Sequence, residues 1–178
     1  MGNSKSNRVT DVRLRALFFA FAFAFAFAAF ALGGCTAAQN ETQASDQQMA
    51  NRQYMAQVNQ KMESLTERLS GFSDAVSRGD VVTMRTQADN AFKVIEGLSG
   101  IDVPSDFKEI QQDYVDGCAS LKDALNAYID LYTEIENATE SQPFDYATYD
   151  ERLKAIQDQY DAGIEKLKSA DKKASEMK

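Results

Sequence analysis

Four stretches of the chain repeat apolar residues every three or four positions, the spacing of one face of an α-helix. In the first stretch the spacing is strict over three heptads, with the row Met55, Val58, Met62, Leu65, Leu69, Phe72 and Val76. It predicts a first helix from near Gln48 to Arg78, closed by Gly79. Asp80 is a residue type that begins helices, so a second helix should follow directly.

The second and third stretches differ in length and in the width of the apolar face. The second is short and carries the row Val81, Met84, Ala88, Ala91, Ile95 and Leu98. Pro104 interrupts the helical pattern, and a third helix is predicted from about Ser105 to Thr139. Its apolar face is the widest of the four, which predicts that this helix is central and has more than one neighbour.

The fourth stretch follows Pro143, and Asp145 can cap its first turn. Its apolar row is Tyr149, Leu153, Ile156, Tyr160, Ile164, Leu167 and Ala170. Short connections favour antiparallel neighbours. We therefore predict an all-α fold, an antiparallel up-and-down helical bundle of about four helices with a short second helix, over residues 49–178. With an even number of helices, the chain enters and leaves the bundle at the same end.

A different pattern precedes the bundle. The run from Ala16 to Gly34 has no charged side chain and alternates Phe with Ala, and the residues before it carry four basic side chains: Lys5, Arg8, Arg13 and Arg15. A basic start, an apolar run and small residues at its end are typical of a secretion signal. Leu32-Gly33-Gly34-Cys35 then resembles the bacterial lipobox. The resemblance implies cleavage between Gly34 and Cys35 and a diacylglyceryl group on the Cys35 thiol.

This interpretation divides the chain into three parts. Residues 1–34 are a lipoprotein signal peptide, residues 35–48 are the lipidated Cys35 and a flexible, disordered polar tether, and residues 49–178 are the helical bundle. The expected location is the cell membrane or the outer membrane, with the domain on the extracytoplasmic side and acyl chains on Cys35 in the lipid. An uncleaved membrane anchor, or an ordinary signal peptide with an unrelated cysteine, is the alternative.

Composition and charge narrow the functional classes. The full chain has 19 basic and 27 acidic residues; residues 1–34 hold four basic and one acidic residue, so their removal leaves a net charge of about −11. Such a surface repels nucleic acid. The chain contains no histidine, which excludes Ser-His-Asp and Cys-His nucleophile pairs and the common zinc sites. We predict no catalytic residue, no metal ligand and no cofactor, and therefore not an enzyme.

The predicted function is a non-enzymatic interaction or structural module with a protein partner in the envelope or outside the cell. The alternative is a small-ligand-binding or sensor bundle whose core is lined by five tyrosines: Tyr114, Tyr128, Tyr132, Tyr149 and Tyr160. Small residues nearby, Gly117 and Gly163, could leave a void beside them, or the whole set could be ordinary core packing.

Two further motifs have simple structural interpretations. Arg78-Gly79-Asp80 matches a tripeptide that integrins read, but a C-terminal Gly and an N-terminal Asp already explain it as helix caps. Cys118 lies beside the apolar row of the third helix, where we expect a buried structural thiol; a redox or lipidation site is the alternative.

Overall fold

The computed structural model describes residues 42–177, and these form four α-helices. The helices are α1 (Thr42–Arg78), α2 (Val81–Ser99), α3 (Lys108–Glu136) and α4 (Tyr149–Glu176), with short 3-10 turns at Ser105–Phe107 and Tyr146–Thr148. The predicted all-α fold of four helices with a short second helix is confirmed. The predicted signal peptide, its cleavage at Gly34 and the lipidation of Cys35 lie outside the described residues.

Helices that follow one another along the chain pack side by side, and α3 and α4 form the most extensive pair. Two ion pairs show that these two helices are antiparallel. Lys173, near the end of α4, contacts Asp113 near the start of α3, and Arg152, near the start of α4, contacts Glu134 near the end of α3.

The helix α3 is central, as predicted. Besides its contacts with α2 and α4, it reaches α1 through Phe72, whose ring meets that of Tyr128 edge-on, and through Tyr54, whose hydroxyl binds Gln111. The apolar rows predicted for the four helices form one continuous core.

The bundle has two distinct ends. The loop end contains the turn between α1 and α2 and the loop between α3 and α4. The terminal end contains the beginning of α1, the connector between α2 and α3, and the end of α4. None of the helices within residues 42–177 is long and apolar enough to cross a membrane.

The turn between α1 and α2 uses both predicted caps. Gly79 has a φ of 66°, its N–H donates to the Val76 carbonyl at 3.0 Å, and the Asp80 N–H donates to the Ala75 carbonyl at 2.9 Å. This is the Schellman arrangement that ends a helix. The Asp80 carboxylate then accepts from the backbone N–H of Thr83 at 3.0 Å and from its hydroxyl at 2.6 Å. The interpretation of the tripeptide as two helix caps is confirmed.

The first helix begins earlier than predicted. It starts at Thr42 rather than near Gln48, so α1 includes part of the stretch predicted as a tether. The flexibility of that stretch stays a prediction. Residues 46–50 are helical yet exposed, and the Gln47 amide donates to Asn51 at 3.2 Å one turn later. Periodicity marks only the buried part of a helix, whereas exposed turns rich in Gln and Ala are maintained by helix propensity alone.

The loop between α3 and α4 also differs in its boundaries. The helix α3 ends at Glu136, before the predicted Thr139, and the Asn137 N–H closes it on the Thr133 carbonyl at 3.0 Å. The predicted cap at Asp145 is present, since its carboxylate accepts from the Ala147 N–H at 3.0 Å. The first turn after this cap is a 3-10 turn, and the α-helix begins at Tyr149.

Candidate functional site

The five tyrosines predicted as ligand-lining are all buried, with between 0% and 8% of their surface exposed. The structure does not gather them into one place. Tyr128, Tyr132 and Tyr149 lie toward the loop end, Tyr114 lies at the terminal end, and Tyr160 lies between them on α4. From residue 114 to residue 132 along α3 the rise is ~27 Å. The five side chains therefore do not line a single slot.

The tyrosines at the loop end belong to an aromatic cluster of two groups of contacting rings. One group is Phe72, Tyr128 and Tyr132, and the other is Phe144, Tyr146 and Tyr149. The Phe72 and Tyr128 rings meet edge-on at 5.9 Å between centroids, and Tyr128 stacks on Tyr132 at 6.4 Å. Phe144 meets Tyr146 at 5.0 Å and Tyr149 at 6.5 Å, both edge-on. These are favourable geometries for aromatic pairs, so the rings fill one another's space and join the α3–α4 loop to the core.

The aromatic cluster also fixes the turn between α1 and α2. A Cβ atom at Gly79 would lie 2.5 Å from the Tyr132 hydroxyl oxygen. Tyr132 therefore packs directly against the one residue of the turn whose backbone is left-handed. Burial raises the pKa of Tyr128, with a further contribution from the neighbouring hydroxyls of Tyr149 and Tyr132. This phenol remains neutral at physiological pH and can only donate or accept hydrogen bonds.

Tyr114 takes part in a polar arrangement at the terminal end. Its hydroxyl is buried and donates to the Asp171 carboxylate at 2.5 Å, which joins α3 to α4. Nearby, the Tyr54 hydroxyl donates to the side-chain oxygen of Gln111 at 2.7 Å, and the Gln111 amide donates to the Leu98 carbonyl at 2.9 Å. Leu98 lies in the last turn of α2, where carbonyl groups have no partner within the helix. The Leu98 carbonyl also accepts from the Ile101 N–H at 3.3 Å, so Gln111 adds a side-chain donor at the end of α2 while its oxygen accepts from Tyr54 on α1.

The sequence reasoning did not single out Tyr54, Gln111 and Asp171. The spacing contained a signal for two of them. Tyr54 precedes Val58 by four positions, and Gln111 lies on the row that continues through Cys118, Leu125 and Tyr132. A glutamine in an otherwise apolar row indicates a buried amide with a specific partner. Nothing comparable marks Asp171.

The glycines Gly117 and Gly163 leave no void, contrary to the possibility raised from the sequence. At these two positions the backbones of α3 and α4 lie close together. A Cβ atom at Gly163 would lie 2.9 Å from the Gly117 carbonyl oxygen, and one at Gly117 would lie 2.8 Å from the Leu167 side chain and 3.0 Å from the Gly163 carbonyl oxygen. Leu121 and Leu167 fill the space on either side.

Cys118 is fully buried, as expected for a structural thiol. Burial raises the pKa of the thiol to about 12, so it is protonated and unreactive at neutral pH. Burial likewise raises the pKa of Tyr54 to about 12. The buried hydroxyl and thiol groups are thus suited to packing and hydrogen bonding rather than to proton transfer.

Within residues 42–177 no group of three or more Cys, Asp and Glu side chains is placed to hold a metal ion. Comparisons with known proteins found no matching protein family, no similar curated protein and no similar solved structure.

Proposed function

We propose that this chain is a membrane-anchored lipoprotein of a bacterial cell envelope, and that its helical bundle is a non-enzymatic interaction or structural module on the extracytoplasmic side. One observation carries the location: Leu32-Gly33-Gly34-Cys35 follows a basic start and an uncharged run. A single acyl chain gives only marginal membrane binding, whereas two or three chains on Cys35 would hold the protein durably.

The architecture supports an interaction role at the loop end. The helix α1 has 37 residues, which correspond to ~55 Å at the usual rise per residue. Anchoring upstream of α1 would leave the terminal end nearest the membrane and the loop end farthest from it. Of the four large apolar side chains exposed within residues 42–177, Val82 with 77% and Tyr146 with 40% of its surface lie at the loop end, and Met49 and Met177 lie at the terminal end. We propose that a protein partner contacts the loop end.

The packing of the tyrosines supports this role over the alternative of a ligand-binding or sensor bundle. Tyr128 and Tyr149 meet neighbouring rings, and the hydroxyls of Tyr54 and Tyr114 bind partners on other helices. A thermal-shift screen of the purified chain against lipids and small aromatic compounds tests the alternative. Saturable stabilisation that is lost in Tyr128→Ala would favour a ligand-binding core.

The anchor is tested by expressing the full chain and Cys35→Ala in a bacterium fed an alkyne analogue of palmitate. The natural chain should incorporate the label, fractionate with membranes and show a mature N-terminus at Cys35 in mass spectrometry. Cys35→Ala should incorporate none. Cys118→Ala is the matched control and should be labelled normally; labelling that depends on Cys118 would contradict the proposed anchor.

The loop end is tested by introducing a photo-crosslinking amino acid at Val82 or Tyr146 in cells. The controls are Gln57 and Asn126, which are exposed on the sides of α1 and α3. A protein cross-linked from the loop end and not from the control positions supports the proposal. Equal capture from all four positions would show that contact at the loop end is not specific.

A further inference from the structure

The first turns of α1 extend beyond the other helices at the terminal end. Two contacts between α1 and α3 fix the register of these helices. Tyr54 lies beside Gln111, 57 positions later in the chain, and Phe72 lies beside Tyr128 at nearly the same separation. The two helices are therefore parallel, and the start of α3 at Lys108 is level with about position 51 of α1.

The ends of α2 and α4 lie at or above the same level. The two ion pairs between α3 and α4 fix their antiparallel register. In this register Glu176, the last residue of α4, is level with about position 110 of α3 and hence with about position 53 of α1. The helix α2 ends earlier still, because Gly97 in its last turn lies beside Lys61 of α1. The part of α1 before position 51 therefore lies beyond the ends of the other three helices.

This extension, residues 42–50, is here called the spacer segment. It is ~14 Å long at the usual rise per residue, and its residues 46–50 are exposed. It is helical without tertiary support because a helix that is already formed adds further turns easily, and its Gln and Ala residues favour helix. The Gln47 amide also donates to Asn51 at 3.2 Å, one turn later.

The spacer segment differs from the bundle in charge. It contains one charged residue, Asp46, whereas residues 51–178 contain 24 acidic and 15 basic residues and carry a net charge of −9. Met49 is its only large apolar residue. A helix that lies in a lipid surface needs a continuous apolar face, so the spacer segment is not suited to lie there.

We propose that the spacer segment is a rigid helical spacer that holds the acidic bundle away from the lipid surface and so sets the distance at which the loop end works. The inference rests on the proposed anchor at Cys35. Exposed charges interact over about one Debye length, ~8 Å at physiological ionic strength, and the spacer segment is longer than that. A bundle that lay on its side would bring its carboxylates close to anionic headgroups, which repel them. The upright orientation avoids this repulsion.

The experiment measures the distance between the terminal end and the lipid surface. The full chain is processed in a bacterium, purified and reconstituted into phosphatidylcholine vesicles, with and without phosphatidylglycerol. A fluorescent donor is attached at Ser105→Cys, an exposed position in the connector between α2 and α3. Cys118 is buried and does not take the label. Energy transfer from the donor to an acceptor-labelled lipid then reports how close the terminal end comes to the lipid.

The test compares two substitutions in the middle of the spacer segment. Gln48→Pro breaks the helix, so the bundle can approach the lipid and energy transfer should increase. Gln48→Ala is the matched control and should leave energy transfer as it is in the natural chain. The increase in Gln48→Pro should be smaller in vesicles that contain phosphatidylglycerol, because anionic lipid repels the bundle. Both variants should keep the free energy of unfolding of the natural chain, because position 48 is exposed.

The outcomes separate the spacer from the anchor. Equal energy transfer in Gln48→Pro and Gln48→Ala, with both chains attached to the vesicles, would overturn the spacer and leave the anchor in place. That result is expected if the spacer segment is already flexible. A natural chain that does not attach to the vesicles would overturn the anchor and, with it, the spacer.

Discussion

At the scale of single residues, the contact between Gly117 and Gly163 sets the distance between α3 and α4. Alanine at a helical glycine usually gains about 1 kcal/mol of helix propensity. At Gly163 the new Cβ would lie 2.9 Å from a backbone carbonyl oxygen, so the helices would have to separate, at a cost of roughly 1–3 kcal/mol. We expect Gly163→Ala to lower the free energy of unfolding, measured by urea titration with circular dichroism.

The control for this prediction is Gly97→Ala on α2. There the added Cβ would meet the end of the flexible Lys61 side chain, with the nearest atom 2.8 Å away. That side chain can move, so the gain in helix propensity should remain and the free energy of unfolding should stay equal or rise by up to about 1 kcal/mol. Equal stabilisation by both substitutions would show that the close approach of α3 and α4 carries no constraint.

The hydrogen bonds of Gln111 can be tested by a single substitution. Gln111→Ala leaves the buried Tyr54 hydroxyl without its acceptor and the Leu98 carbonyl without its side-chain donor. An unsatisfied buried group costs about 1–3 kcal/mol, and the lost side chain adds a cavity. We expect Gln111→Ala to be clearly destabilising in urea titration, and to cost less in the background of Tyr54→Phe. Strict additivity of the two changes would contradict the coupling expected from the hydrogen bond between Tyr54 and Gln111.

These residues mark the limit of what the sequence could predict. The periodicity of one helix predicts which side it buries, so the tyrosines on α3 and α4 were correctly placed in the core. It does not specify which residue of another helix a polar group will meet. The pairing of Tyr114 with Asp171, 57 positions apart in sequence, depends on the relative register of α3 and α4. For the same reason, the sequence alone could not distinguish between two arrangements of the tyrosines: one slot lined by all of them, or rings divided between the two ends of the bundle.

At the scale of the elements, the turn between α1 and α2 depends on Gly79. Its φ of 66° costs roughly 1–2 kcal/mol for a residue with a Cβ, and that Cβ would also meet the Tyr132 hydroxyl. We expect Gly79→Ala to be destabilising in thermal unfolding followed by circular dichroism. Tyr132→Phe removes the oxygen that the Cβ would meet. The double variant should therefore lose less thermal stability than the sum of the losses in the two single variants.

The boundaries of the elements show why caps are better sequence signals than periodicity. The cap residues Gly79, Asp80 and Asp145 all act where the sequence placed them. The start of α1 has no such signal, and it extends as an exposed helix beyond the buried row. The end of α3 was placed three residues too late, because Ile135 and Ala138 continue the apolar spacing while the backbone has already turned at Asn137.

At the scale of the whole molecule, the folded domain should begin close to residue 51, even though α1 begins at Thr42. Residues 46–50 are exposed, whereas Tyr54 and Val58 are buried. A chain that lacks residues 1–50 should therefore keep its free energy of unfolding within about 0.5 kcal/mol of the chain that lacks residues 1–41. Removal of residues 1–59 also deletes Tyr54 and Val58, which should cost more than about 3 kcal/mol. Urea titration of the three chains measures the effect of both truncations on the free energy of unfolding. A large decrease on removal of residues 42–50 would show that the exposed turns of α1 make stabilising contacts.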